Sequence, residues 1–179
     1  MASFAPQATI TAHTVATGDA ALREITAALS QGYYVAGYCS YELGYAFEAK
    51  LRARMPPQRT MPLIRFNVYD RPHVFAKRAI AAEMRACRGT AIAALERTQS
   101  ADDYTRSIQR IKAYIKAGDV YQINHCYALT GRLLGASADL FKSMVARQAV
   151  AYAALLRDPR HEIVSVSPEL FFELDTGRI

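Results

Sequence analysis

The chain has 179 residues, 51% hydrophobic and 21% charged. That balance suits one globular domain, or a small domain plus part of another, and excludes an intrinsically disordered chain. No apolar stretch approaches the roughly 20 residues that span a bilayer, and Met1 to Thr14 lacks the basic and apolar regions of a secretory signal. The net charge of +6 comes without a zinc finger, an RNP-like motif or a run of five basic residues, so it reads as a solvated basic surface rather than a nucleic-acid interface.

In chain order, Thr9 to Val15 is β-prone. Gly18 and Asp19 open a helix to about Ser30, with Leu22, Ile25 and Leu29 on one face. Tyr33 to Tyr41 is aromatic and β-branched enough for a buried strand. Glu42 to Leu51 reads as a short helix, broken by Met55-Pro56-Pro57, and Leu63 to Tyr69 as another strand. Ala79 to Thr98 is alanine-rich, hence helical with an interruption near Gly89, and connects an N-terminal unit (1–98) to a second unit (99–179).

In the second unit, Ser100 and Asp103 resemble a capping box ahead of a helix to about Ala117. Its stripe is Tyr104, Ile108, Ile111 and Ile115, and Gly118 stands where a helix-ending glycine belongs. Val120 to Thr130 is expected as a strand, with Tyr121, Ile123, His125, Tyr127 and Leu129 on one face and Gln122, Asn124, Cys126 and Thr130 on the other. Ser137 is expected to cap a further helix carrying Leu140, Phe141, Met144 and Val145. Ala151 to Leu156 and His161 to Ser167 are strands around an Asp158-Pro159-Arg160 turn, and Leu170 to Leu174 a third strand running into Asp175-Thr176-Gly177. The sum is an α+β fold with mixed or antiparallel sheets flanked by helices.

Three cysteines (Cys39, Cys87 and Cys126) are odd in number and form no CxxC. They read as reduced thiols of a cytoplasmic protein. His13, His73, His125 and His161 lack metal-ligand spacing. The residues with chemistry lie near the end. From Ile163 to Glu169 the side chains alternate: Val164 and Val166 face one way, and Ser165, Ser167 and, if the chain stays extended, Glu169 the other. An ionised group buried unpaired is costly, so that second face is either wet or lines a site. Taken alone, Ser-Pro-Glu is more often a loop with a solvated glutamate. Gln122 and Asn124 on a strand more often satisfy neighbouring backbone.

Residues 101–174 resemble the chorismate-binding family, the large subunits of aminodeoxychorismate synthase, anthranilate synthase and their relatives. The resemblance rests on the Tyr104 to Ile115 helix, Gly118-Asp119-Val120-Tyr121-Gln122-Ile123-Asn124, the Leu140-Phe141 helix, Ala151-Tyr152-Ala153, and Ser165-Val166-Ser167-Pro168-Glu169, in that order. Gly37-Tyr38-Cys39-Ser40-Tyr41-Glu42 and the short N-terminal unit look like the p-aminobenzoate (folate) branch.

The resemblance implies an anthranilate-synthase-like β-sandwich, here cut before its C-terminal half. It also implies an enzyme that aminates chorismate with ammonia from a glutamine amidotransferase partner. Glu169 inherits the role of acid and base at the ring, with Ser167 and Gln122 as supports, and Ala151, Tyr152 and Ala153 border an amino-acid pocket. Losing the ring hydroxyl as water needs a proton at neutral pH, and a carboxyl walled by apolar groups holds its proton more tightly. Val164, Val166, Leu170 and Phe171 are the expected wall. The family's Mg2+ is expected on glutamates beyond residue 179. So is the motif whose lysine marks the p-aminobenzoate branch and whose alanine marks anthranilate synthesis. The sequence therefore reads as an N-terminal fragment, inactive alone and able to self-associate through the open edge at Leu170 to Leu174. The alternatives are anthranilate synthase, isochorismate or salicylate synthesis, and a non-catalytic interaction module.

Overall fold

The computed structural model describes residues 5–85, 89–148 and 150–174. Its packing groups the chain into two compact units, residues 1–80 with 156–161, and residues 81–155 with 162–179. The sequence reading draws one boundary, after residue 98. In the structure the units part at 80/81, and a short later segment falls with the first.

In the first unit, β1 (Ala8–Ala12) leads to α1 (Val15–Ser30), which starts three residues ahead of the Gly18 expected from sequence. The reason is Thr14. Its Oγ1 accepts from Thr17 N at 3.3 Å while Thr14 N donates to Thr17 Oγ1 at 3.2 Å, so both orphan donors are satisfied. β2 (Tyr34–Cys39), α2 (Leu43–Phe47), a 3-10 turn (Ala49–Arg54) and β3 (Ile64–Tyr69) follow. The strands form an antiparallel sheet in the order β1-β3-β2, with Ile10 opposite Phe66 and Val35 opposite Val68.

α1 lies on this sheet. Between them Ile10, Ala12, Ala21, Leu43, Ala46, Leu63, Ile64 and Val68 form the core, with Leu22, Ile25 and Ala28 packed against it. Leu29 is 52% exposed, so the packed face of α1 runs through Ala21, Leu22, Ile25 and Ala28 instead.

The helix α3 (Lys77–Arg85) replaces only the first half of the expected alanine-rich helix; β4 (Ala91–Arg97) takes the second half. Ala91 to Arg97 becomes a strand because it finds a partner: it pairs antiparallel with β5 (Leu129–Leu134), from Ala91 opposite Leu134 to Arg97 opposite Leu129. A bulge between Ala93 and Glu96 puts Ala94 at φ 50°. α4 (Ala101–Ala117) joins the two strands. Ser100 Oγ accepts from Asp103 N at 3.1 Å, but the Asp103 carboxylate takes the Ser100 hydroxyl and Arg106. Gly118, at φ 81°, ends the helix: its N–H bonds Ile115 O and Asp119 N–H bonds Tyr114 O, both at 3.1 Å.

Two expected strands are absent among the described residues. Residues 121–128 have no regular structure, and neither do residues 170–174. Apart from Ala128, whose backbone N–H and C=O both bond Thr98, neither segment finds a ladder partner there, and β-propensity without a partner leaves backbone groups to solvent. The edge expected at Leu170 to Leu174 is therefore not formed, and the Asp175-Thr176-Gly177 turn lies outside the described residues.

α5 (Ser137–Arg147) starts without a side-chain cap. Ala136 holds the N-cap position, and Ser137, expected there, is buried one residue inside with its Oγ lacking a hydrogen bond. β6 (Tyr152–Arg157) and β7 (Glu162–Ser167) form a two-stranded hairpin, and α5 packs on β7.

The class is α+β with antiparallel sheets. The described residues hold three small sheets rather than a closed sandwich. Among the described residues the buried apolar ones belong to the first unit, whereas α4 leaves Tyr104, Tyr114 and Ile115 exposed.

Gly37 is the tightest point of the first sheet. A Cβ there would stand 2.0 Å from the Arg65 carbonyl oxygen and 2.6 Å from Phe66 Cα, both backbone atoms of β3. Gly37→Ala is expected to cost about 2 kcal/mol or more, read as a lower midpoint in urea unfolding. An unchanged midpoint would mean that β2 and β3 separate without penalty.

Candidate active site

Ser167 is the last residue of β7, and the chain bends at Pro168 and Glu169. The extended course expected through Glu169 thus stops two residues short. Pro168 lacks a ladder donor, and Ser167 supplies a local alternative. Its Oγ donates to Glu169 O at 2.7 Å and accepts from Glu169 N at 3.3 Å. The hydroxyl thereby fixes the Glu169 backbone on both sides. The Glu169 side chain is exposed, and its carboxylate has no hydrogen-bond or ion-pair partner among the described residues.

The apolar wall expected around that carboxylate is not assembled. Val164 and Val166 are half-buried on β7, but Phe171 is 94% exposed and stacks edge-on against Phe172 rather than over Glu169. Once the chain bends after Ser167, the period-2 alternation that placed these side chains together no longer applies.

Gln122 is exposed in the irregular segment after α4, and its Nε2 reaches Asn124 Oδ1 at 3.5 Å. No hydrogen bond joins it to Ser167 or Glu169 among the described residues. Tyr152 opens β6 and is 42% exposed, flanked by exposed Ala151 and Ala153. Among the described residues no three His, Cys, Asp or Glu side chains are grouped to hold a metal ion, and no helix is long and apolar enough to cross a membrane.

Two polar clusters escaped the sequence reading. His125 Nε2 lies 3.1 Å from Gln99 Oε1, Gln99 Nε2 donates to Ser107, and Tyr104 stacks on both His125 and Tyr127. The i, i+2 placement of His125 and Tyr127 is the one legible signal. It survives although the strand does not.

The second cluster centres on Asp158, whose side chain is 7% exposed. Oδ1 accepts the backbone N–H of Arg160 (2.7 Å) and of His161 (2.8 Å), and Oδ2 accepts the Tyr38 hydroxyl (3.2 Å). Burial pushes the Asp158 carboxyl up, but these donors and the Arg65 cation outweigh it and hold it below its ordinary range. Burial first, and then the hydrogen bond to Asp158, push the Tyr38 hydroxyl up. The turn residues Asp158-Pro159-Arg160 are plain in the sequence. Their partners Tyr38 and Arg65 are more than ninety positions away, and nothing local announces them.

A depressed carboxyl stabilises the fold above its unfolded value, near 3.8, and that contribution disappears as pH falls through the folded value. A raised tyrosine stabilises it below about 10.0 and is lost as pH rises through its folded value. Asp158→Asn is therefore expected to melt several degrees below the parent at about pH 6, the gap narrowing as pH falls below about 3.8. A gap independent of pH would show that the Asp158 charge has no role.

The chain matches the family model described as chorismate binding enzyme over residues 2–179. It is 28% identical over 90 residues to the aminodeoxychorismate synthase component 1 of Klebsiella aerogenes, covering 50% of this chain and 20% of that protein. The 2-amino-4-deoxychorismate synthase of Streptomyces globisporus is 28% identical over 76 residues, covering 42% of this chain and 15% of the relative. An anthranilate synthase component 1 of Haloarcula marismortui is 34% identical over 72 residues, covering 40% and 14%. The chain thus spans a fifth or less of the length of these relatives. No solved structure matches.

Proposed function

Because the chain belongs to the chorismate binding enzyme family, we propose that it contributes to replacing the 4-hydroxyl of chorismate by an amino group, as component I of an aminodeoxychorismate synthase. The observation that carries the reading is the family match over residues 2–179 together with Ser167-Pro168-Glu169 at the end of β7. The name of the Klebsiella relative and the Gly37 to Glu42 stretch support this branch.

Glu169 is the acid and base. Chorismate and ammonia give aminodeoxychorismate and water. The departing hydroxyl takes a proton from the Glu169 carboxyl, the nitrogen lone pair forms the new C–N bond, and the ammonium so formed returns a proton to the carboxylate. Ser167 is a positioning residue, because its two bonds to the Glu169 backbone fix the root of the side chain. The exposed Glu169 carboxylate, which spends its oxygens on no neighbour among the described residues, is available to a ligand. Ammonia arrives from a glutamine amidotransferase partner. Magnesium, when bound on glutamates beyond residue 179, would hold the substrate carboxylate; among the described residues no His, Cys, Asp or Glu cluster is grouped to hold it. A second reading, anthranilate synthesis, rests on the 34% identity to the Haloarcula relative.

The chain of 179 residues is expected to turn over no chorismate alone. Incubating a protein that carries it together with the family's remaining segments with chorismate, ammonium and magnesium, and separating the products, distinguishes the two. The expected product is 4-amino-4-deoxychorismate. Anthranilate would transfer the assignment to the second reading, and neither product would leave the interaction-module reading standing. Glu169→Gln is expected to lower kcat by at least about 100-fold with its unfolding midpoint unchanged. A rate near that of the parent would remove Glu169 from the chemistry.

A further inference from the structure

The two oxygens of Asp158 are already taken by three donors, two on Oδ1 and one on Oδ2. Arg65 Nε stands 3.7 Å from Oδ2, near enough for Coulomb attraction and too far for a hydrogen bond. The Arg65 side chain is only 22% exposed, yet none of its five N–H donors meets an acceptor among the described residues. A guanidinium so placed is under-satisfied, and such groups call for a further acceptor.

What Arg65 faces is a cleft of about 340 Å³, lined by Thr11, His13, Thr60, Arg160 and His161 beside Asp158. All of these residues belong to the first unit. The Arg160 side chain has no partner among the described residues, and neither do the hydroxyls of Thr11 and Thr60. Two guanidiniums therefore oppose one carboxylate that is already saturated. Two hydroxyls and the His13 imidazole add further donors, while His161 Nδ1 already faces Asp158 Oδ1 at 3.5 Å. The volume corresponds to roughly ten water molecules at about 30 Å³ each, which is room for a small acid rather than a polymer.

We propose that this cleft between β3 and the Asp158 turn binds a small oxyanion, a carboxylate or a phosphate, held by Arg65 and Arg160. Planar guanidinium forks match either group with paired N–H···O bonds, and a partly buried setting strengthens them. The proposal is independent of the chorismate reading, since it uses neither Glu169 nor Ser167.

Backbone amide NMR of the chain, titrated separately with inorganic phosphate and with succinate against chloride at equal ionic strength, tests it. Saturable shifts confined to Thr11, Thr60, Arg65 and Asp158 to His161 are expected with at least one of the two. Which one saturates identifies the group. Arg160→Gln is expected to weaken that binding roughly tenfold while leaving the free spectrum unchanged, because the Arg160 side chain has no structural partner. Arg65→Gln is expected to weaken it at least as much. Should Arg65→Gln fail to fold, the Arg160 variant decides alone. Shifts that never saturate, that chloride reproduces, or that survive Arg160→Gln unchanged would overturn the site.

Discussion

A single buried carboxylate organises the part of the molecule that leads to the candidate active site. Asp158 turns β6 back into β7 by accepting two successive backbone N–H groups, and Tyr38 and Arg65 of the N-terminal sheet hold it from the other side. Leaving such a group unpaired would be expensive, so the turn has one favourable closure and the hairpin one register. The strand that leaves this turn ends at Ser167 for a local reason, since Pro168 has no ladder donor and the Ser167 hydroxyl bonds the Glu169 backbone.

Where local chemistry decides, the sequence was a good guide. Gly118 stops α4 because only a residue without Cβ takes φ 81° freely. β2 and β3 come within a residue or two of their expected bounds because their apolar side chains have α1 to cover them, whereas β1 ends three residues before the expected Val15, where α1 already starts. Thr14 was overlooked because its reciprocal partner is Thr17 rather than an acidic residue. Leu29 was placed inside on period alone, whereas small Ala21 and Ala28 let the helix sit close and rotate Leu29 outward.

Where a partner decides, the sequence was mute. Ala91 to Arg97 carries helix-forming alanines yet is a strand, because Leu129 to Leu134 completes its ladder. Tyr121 to Ala128 carries strand-forming aromatics yet is not one. The same lesson applies to the site. The Ser167 to Glu169 motif was legible as a motif, and its placement at a strand end was too. The conformation of the turn was not, because a two-bond serine turn competes with extension on equal terms. Asp158 was read as a turn residue and not as a hub. Family membership, by contrast, came from the order of several short motifs along the chain, a property that no single contact carries.

The central claim is that Glu169 meets the chorismate ring. Its most direct test is the carbon-13 resonance of the Glu169 carboxyl in the encoded protein, assigned through Glu169→Gln and followed as chorismate is added. The account predicts a saturable displacement of that signal, with the Glu42 and Glu173 carboxyl signals left in place. A Glu169 signal that stays fixed while chorismate saturates the protein would contradict it.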